Sequence, residues 1–428
     1  MGICNIFTMK NYKKYFPFFE YNPKKVYLDS ACMGLKPYKL LESINEYYLK
    51  YSVCAGRSTY RLSRELEERL DISREKISKL INAKSKREIV WTRNTTESIN
   101  LFARSFKYEK DRRRVIITEK EHNSNHCVWK ELAKKGIIEL TILDLNRDNT
   151  FNLNVLEDQL KKGDVILVST VHISNLDGIE NPIKKIADLS HKYGAYIFID
   201  AAQSVPHTKV DVVKNNIDFM AFSIHKIYGP TGLGVLYVKN HLFDKIGLYN
   251  VGGDTIKNTF IKKDPEYRSY PYRYEAGLAD FSAIYSVSSI VDFVEKIGYE
   301  NIEKRVNYLN NLFRKFLKNY EEIKIIGDTD DKNVKGITTF FIKKFTRFSE
   351  DEETIGEKLD RKYGILLRTG FFCVNPYFDN RERKGEINPL YYPAIRASFG
   401  FYNDENDLEK LEKSVKGILN SLKGWPTL

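Results

Sequence analysis

Cysteine is scarce and scattered: the 428 residues carry five, Cys4, Cys32, Cys54, Cys127 and Cys373. An odd number without paired spacing excludes a disulfide framework, and the lack of any Cys-x-x-Cys excludes a zinc ribbon or dithiol motif. That usage predicts a reducing, cytoplasmic setting. Long apolar runs are missing too; none approaches the roughly 18 residues a membrane span requires. The opening MGICNIFTMKNYKKYF lacks the apolar core and small-residue cleavage site of a signal peptide. Ile6 stands where a myristoylation signal needs Ser or Thr. There is no zinc-finger spacing, no aromatic RNA-binding signature, no internal repeat and no low-complexity tract. The net charge of +12 is spread along the chain, which suits a solvated basic surface and acidic small molecules better than nucleic acid. What remains is an ordinary globular composition, 42% hydrophobic and 29% charged, at a length that suggests two or three domains.

Between about residues 89 and 238 a short β-branched run, a polar loop and a helical stretch alternate. The runs are IVWT (89–92), VIIT (115–118), VILVSTV (165–171), AYIFID (195–200) and FMAFS (219–223). Continuous apolar runs separated by helices read as buried parallel strands. GVLYV (234–238) follows after only a short turn and is expected to pair antiparallel. This predicts an α/β fold, a mixed but mostly parallel sheet flanked by helices. From 288 to 320 the apolar spacing becomes three-to-four, giving long amphipathic helices broken near Gly298. GITTFFI (336–342), ILLR (365–368) and IRASFG (395–400) then suggest a smaller α+β domain. The expected division is 1–28 as an N-terminal segment packing on the small domain, 29–297 as the large cofactor-binding domain and 298–428 as the small one.

Ligands of open α/β sheets collect beyond the carboxyl ends of the strands, so the residues delivered there matter most. After IVWT, Thr95 and Thr96 open a helix, forming either an anion site or a plain cap completed by Glu97. After VIIT comes His122, a loop histidine four residues before His126, with no third metal ligand evident. Asn175 follows VILVSTV, and AYIFID closes on Asp200 with Gln203 three residues on. A carboxylate ending a buried strand must find a partner, because an unpaired buried charge costs several kcal/mol. FMAFS runs into Ser223, His225 and Lys226 within FSIHKIYGPTGLG. A lysine there is either a solvated loop charge or an amine placed at the mouth of the sheet. Together these strand ends offer a phosphate cradle, an imidazole, an amide, a carboxylate and an amine. Pyridoxal 5'-phosphate (PLP) meets that description: lysine takes its aldehyde as a Schiff base, and Asp holds the proton on its ring nitrogen.

YLDSA (27–31), NTTESIN, EHNSN, HISNLDGIENP, IDAAQSVPH, FSIHKIYGPTGLG, YEAG (274–277), RTGFFC (368–373) and IRASFGFYN (395–403) occur in one order across residues 27–422. In these motifs the chain resembles the cysteine desulfurase family, in the class V aminotransferase-like branch of the type I PLP fold. The resemblance implies that Lys226 binds the cofactor aldehyde, Asp200 faces the ring nitrogen, and Gln203 and Asn175 lie near the ring hydroxyl. His122 would stack on the ring and move protons, and Thr95, Thr96, Ser223 and His225 would cradle the phosphate. Arg396 matches the arginine that holds the substrate carboxylate, with Arg57 and Arg368 as secondary candidates. Cys373 matches the persulfide-forming nucleophile that would turn L-cysteine into L-alanine. The short stretch from Arg368 to Cys373 is similar to that of the compact-loop subgroup. It implies a homodimer that hands sulfur to a carrier or scaffold protein for iron–sulfur cluster assembly.

Three features depart from that pattern. Phe371-Phe372 stands where a His pair is usual, putting the cysteine in apolar surroundings that raise a thiol pKa. Leu278 replaces a threonine that reaches the partner subunit's phosphate, and the segment 374–393 is longer than in compact relatives. Two other readings compete. One keeps the cofactor but changes the reaction to selenocysteine lyase, epimerase or aminotransferase chemistry. The other is a catalytically idle basic binding protein.

Overall fold

The computed structural model describes residues 11–327, 331–342, 354–387 and 393–422. Cys4, Ile6 and the part of the long segment numbered 388–392 lie outside them. Seven strands form the main sheet: β1 (Ile89–Thr92), β2 (Arg114–Thr118), β3 (Glu139–Leu143), β4 (Val165–Val171), β5 (Tyr196–Asp200), β6 (Phe219–Ser223) and β7 (Gly234–Val238). Their spatial order is β1-β7-β6-β5-β4-β2-β3. β4 and β6 are buried along their whole length, as strands covered by helices on both faces must be. Only β7 runs against its neighbours, because the short Gly-Pro turn after Lys226 returns the chain directly beside β6 and β1. Gly234 is required there: a Cβ would lie 2.5 Å from the Asn94 Cα. That close approach presses the start of helix α1 (Thr95–Ser105) against the mouth of the sheet.

β3, sequence ELTIL, was not among the expected strands. It lies at the sheet edge with partly exposed residues, so it lacks the continuous apolar run that marks its buried neighbours. The helix α2 (Asn123–Lys134) follows β2 and packs on α1.

A second sheet, β8 (Ile323–Ile325), β9 (Ile337–Ile342), β10 (Arg368–Thr369) and β11 (Ile395–Ser398), is antiparallel throughout in the order β8-β9-β11-β10. Helices α3 (Phe281–Ile297) and α4 (Tyr299–Leu317) meet at Gly298, whose φ of +85° is the left-handed conformation that interrupts the helix. Phe16, Val26 and Leu28 near the N-terminus join Phe313, Phe399 and Leu411 in one buried cluster beside this sheet. Val26–Tyr27 also pairs in parallel with Ile365–Leu366, and Asp29 bridges Ser398. The crossing at Asp29 brings the two sheets' ends together. Among the described residues, no helix is long and apolar enough to cross a membrane.

Candidate active site

A cavity of about 300 Å³ lies where the carboxyl ends of β1, β4, β5 and β6 face β10 and β11. Thr95, Thr96, His122, Asn175, Asp200, Gln203, Ser223, His225, Lys226, Arg368 and Arg396 all line it. At one end, Asn94 caps α1 by accepting from the Glu97 N–H at 2.9 Å, and Glu97 instead accepts from Arg93 N at 2.5 Å. The cap is therefore Asn94, and both threonines line the cavity. Thr95 N donates to Ser223 Oγ at 2.8 Å, their hydroxyls lie 2.6 Å apart, and Thr96 Oγ1 lies 2.7 Å from Ser124 Oγ. Hydroxyls clustered at a helix N-terminus suit an anion.

Asp200 ends β5 and is 2% exposed, with Oδ1 accepting from Ala202 N at 3.0 Å. Burial raises its pKa, while that N–H and the Lys226 ammonium pull it back. Lys226 stands on the short turn Ile224–Ile227 after β6. Burial lowers its ammonium pKa; Asp200 opposes this and Arg396 adds to it. An amine so placed is closer to its nucleophilic neutral form than a surface lysine. Gln203 donates to Ala31 O at 2.6 Å and leaves a buried Oε1 without a partner.

His122 is the N-cap of α2, its Nδ1 accepting from Ser124 N at 3.1 Å. In the neutral ring the proton then sits on Nε2. Burial, followed by the charges of Lys226, Arg368 and Arg396, pushes its pKa down to about 3. The imidazole is thus neutral at physiological pH. It carries no metal partner set: among the described residues no cluster of three His, Cys, Asp or Glu side chains could hold an ion.

Arg396, 1% exposed on β11, gives Nη2 to Asp29 at 2.8 Å and Nη1 to Asn175 O at 3.1 Å, while its buried Nε has no partner. Its guanidinium lies 4.9 Å from the centre of the Phe372 ring. Opposite it in register, Arg368 directs Nη2 to Cys373 Sγ at 3.4 Å and Nη1 to Cys32 Sγ at 3.6 Å. Phe372 and Cys373 have φ of +53° and +59°. Two successive non-glycine residues in that region store strain of order 1 kcal/mol each, so something must hold them. Asn175 Nδ2 donates to Phe372 O at 2.8 Å and Asn123 N donates to Cys373 O at 2.7 Å.

Phe372 is buried and lies beside Phe378, Phe371 is 38% exposed, and the Cys373 sulfur is half-buried. Its neighbour is a guanidinium. Arg57 is not brought to the cavity; it is exposed and paired with Asp254 at 2.6 Å. Leu278 is 67% exposed. Cys32, Asp29 and Asn123 are site residues that the strand-end argument missed. The motif YLDSA, directly before Cys32, was the available signal.

These features define a two-sheet enzyme with an amine, a buried carboxylate and an anion cradle around one cavity, the class that binds PLP at the mouth of a parallel sheet. The residues present fit the cofactor: orphaned Gln203 Oε1 and Arg396 Nε await polar partners, Asp200 suits a ring N–H, and the α1 terminus suits a phosphate. The model of the family "Aminotransferase class-V" matches residues 26–411, and the chain belongs to that family of PLP enzymes, with the type I fold. It is 33% identical over 393 residues to a "Probable cysteine desulfurase" of Halalkalibacterium halodurans, covering 91% of this chain and 92% of that one. It is 32% identical over 397 residues to a "Cysteine desulfurase" of Escherichia coli, covering 92% and 93%. Among solved structures it resembles the apo cysteine desulfurase of Thermococcus onnurineus NA1 at a TM-score of 0.85 and 27% identity, covering 98% of this chain and 100% of that one. The E. coli cysteine desulfurase CsdA gives 0.83 and 26%, covering 97% and 100%.

Proposed function

We propose that this chain is a PLP-dependent cysteine desulfurase that converts L-cysteine to L-alanine and takes the sulfur as a persulfide on Cys373. The observation that carries the reading is the sulfur of Cys373 against Arg368, which lines the cavity that Lys226 and Asp200 share. PLP, when bound, supplies the electron sink that makes the substrate Cα–H and Cβ–S bonds labile. Lys226 would hold its aldehyde and Asp200 its ring nitrogen, with Thr95, Thr96, Ser223 and His225 on the phosphate. Arg396 binds the substrate carboxylate, a planar fork fixed by Asp29 and the Asn175 carbonyl. Lys226 Nζ, with its lowered pKa, removes the Cα proton, and neutral His122 can take or return a proton at its ring nitrogen. Cys373 presents its sulfur to the substrate sulfur, and the strained Phe372-Cys373 backbone fixes the direction of approach. Phe372, 1% exposed, closes one wall against water.

The same reading includes a homodimer and a protein acceptor that draws the sulfur toward iron–sulfur clusters or another thiolated product. Exposed Leu41, Tyr48 and Leu49 on the helix Tyr38–Lys50 support a covered apolar face. Incubation with L-cysteine tests the chemistry, scoring alanine and trapped persulfide together. Wild type should give both. Cys373→Ser should lose the persulfide, and Lys226→Ala should lose alanine and the cofactor's visible absorbance. Full turnover in Cys373→Ser would instead favour a lyase or aminotransferase that does not use the thiol.

A further inference from the structure

Two cysteines, not one, face the guanidinium at the rim of the site. Cys32 lines the cavity itself, and its sulfur lies 3.6 Å from Arg368 Nη1, while Cys373 Sγ lies 3.4 Å from Nη2 of the same side chain. The two terminal nitrogens of a planar guanidinium are about 2.3 Å apart, so the sulfurs stand no more than roughly 9 Å from one another. Burial works against the Arg368 charge, but the Cys373 and Cys32 sulfurs, together with Asp29, more than restore it. Arg396 and Gln203, each about 1% exposed, line the same cavity as Cys32 and carry a buried Nε and Oε1 without partners, so the cavity that Cys32 lines is built for polar groups.

The backbones under the two sulfurs differ. Cys32 sits in a tight turn, its N–H bonded to Asp29 O at 3.0 Å, and Asp29 is pinned by its bridge to Ser398 and its pair with Arg396. Cys373 is at the tip of a strained loop held by two hydrogen bonds. A persulfide's outer sulfur projects about 2 Å beyond the sulfur that carries it, which extends the reach of that sulfur.

We propose that Cys32 is a second sulfur-carrying residue, which accepts the outer sulfur from the Cys373 persulfide inside the active site. This rests on the desulfurase reading for the source of the sulfur. In the step, the Cys32 thiolate attacks the outer sulfur of Cys373. The bond from that sulfur to Cys373 Sγ breaks, a bond to Cys32 Sγ forms, and Cys373 leaves as a thiolate. A Cys32 that starts as a thiol passes its proton to that departing thiolate. The moved sulfur keeps its oxidation state, so no external oxidant or reductant enters. Arg368, facing both sulfurs, stabilises the negative charge wherever it resides. Cys373 is then free to accept a second sulfur, and each protomer stores two.

The test uses the holoenzyme as wild type, Cys32→Ser and Cys373→Ser, without added thiol, quenched with iodoacetamide and mapped by peptide mass. With L-cysteine, wild type should release about two alanines per protomer in its burst and show trapped sulfur on both Cys32 and Cys373. Cys32→Ser should release about one, with sulfur on Cys373 alone. A burst of one in wild type with Cys32 alkylated as a plain thiol would overturn the proposal. So would a Cys32–Cys373 disulfide with free sulfide, which makes Cys32 a resolving thiol instead. A second arm supplies inorganic polysulfide, so its result does not depend on desulfurase activity. There, sulfur should reach Cys32 at least tenfold faster in wild type than in Cys373→Ser, and equal rates would overturn the relay. Absence of alanine in the first arm alongside a clear relay in the second would count against the desulfurase reading and for this one.

Discussion

A single arginine illustrates how the site separates binding from chemistry. Arg396 is almost wholly enclosed, with one nitrogen on Asp29, one on the Asn175 carbonyl and Nε still free. Lysine in its place carries one compact charge and no fork, and cannot satisfy Asp29 and a substrate carboxylate together. Arg396→Lys should therefore lower kcat/KM for L-cysteine by about 100-fold, close to 2.7 kcal/mol, mostly through KM. The visible absorbance of bound cofactor should persist, since Lys226 and Asp200 are untouched. A steady-state series with a spectrum of the same sample checks both halves; an unchanged KM would remove Arg396 from the substrate's path. The buried Glu121 carries a different lesson. Burial raises its pKa to about 7, yet Thr118, Thr170 and Asn125 all donate to it at 2.7–3.0 Å, which favours the charged form. The charge survives in part because the donors were placed for it.

Among the elements, the helix α5 (Asn375–Arg383) directly after Cys373 is the one that anchors the reactive loop. Arg381 Nη2 meets Glu119 at 3.1 Å, with the two side chains 7% and 3% exposed, and Tyr377 shares hydrogen bonds with Asn149. Below them, Lys120 and Asp177 form a fully enclosed pair at 3.1 Å. Removing one member of a buried pair leaves the other charge uncompensated. Arg381→Ala should cost about 3 kcal/mol in denaturant unfolding and should speed alkylation of Cys373 as the loop loosens. A cost below about 0.5 kcal/mol would show the helix to be held without the Arg381–Glu119 pair. This anchor was not legible in the sequence, where 374–393 read only as a long segment, because its partners lie some 260 residues away. The strands that end at Asp200, Ser223 and Thr92 were legible, since buried parallel strands are continuous apolar runs and their next residues enter the site by chain order. β3 was not, being a half-exposed edge. Cys32 and Asp29 are placed by a bridge to Ser398 far along the chain, and in the sequence only the motif YLDSA marked them.

At the scale of the whole molecule, buried imidazoles set how stability answers to pH. His207 is 3% exposed with neither ring nitrogen partnered, and burial, with Lys226 adding to it, lowers its pKa to about 4. His225 is likewise lowered to about 4 and His122 to about 3, burial again leading. An unfolded chain holds these groups near 6.5, so between that value and the folded pKa it binds more protons than the native state. Their contribution is complete above about pH 6.5 and is lost as pH falls toward 4. Glu121 acts with the opposite sign: the native state keeps a proton up to about pH 7 that the unfolded chain releases near 4.5, so it gains as pH falls through that window. At pH 5 a wholly buried histidine of this kind costs about 2 kcal/mol. His122 and His225, which face the cavity, each cost less, and Glu121 returns a similar amount. The cofactor-free protein should therefore lose stability between pH 7 and pH 5, measured by guanidinium unfolding at both values. His207→Leu isolates the largest single part, since leucine cannot take up the proton. Its loss over the same interval should shrink by about 2 kcal/mol. If the variant and the wild type fall in parallel, His207 is protonated in the native state and the burial argument for all three rings fails with it.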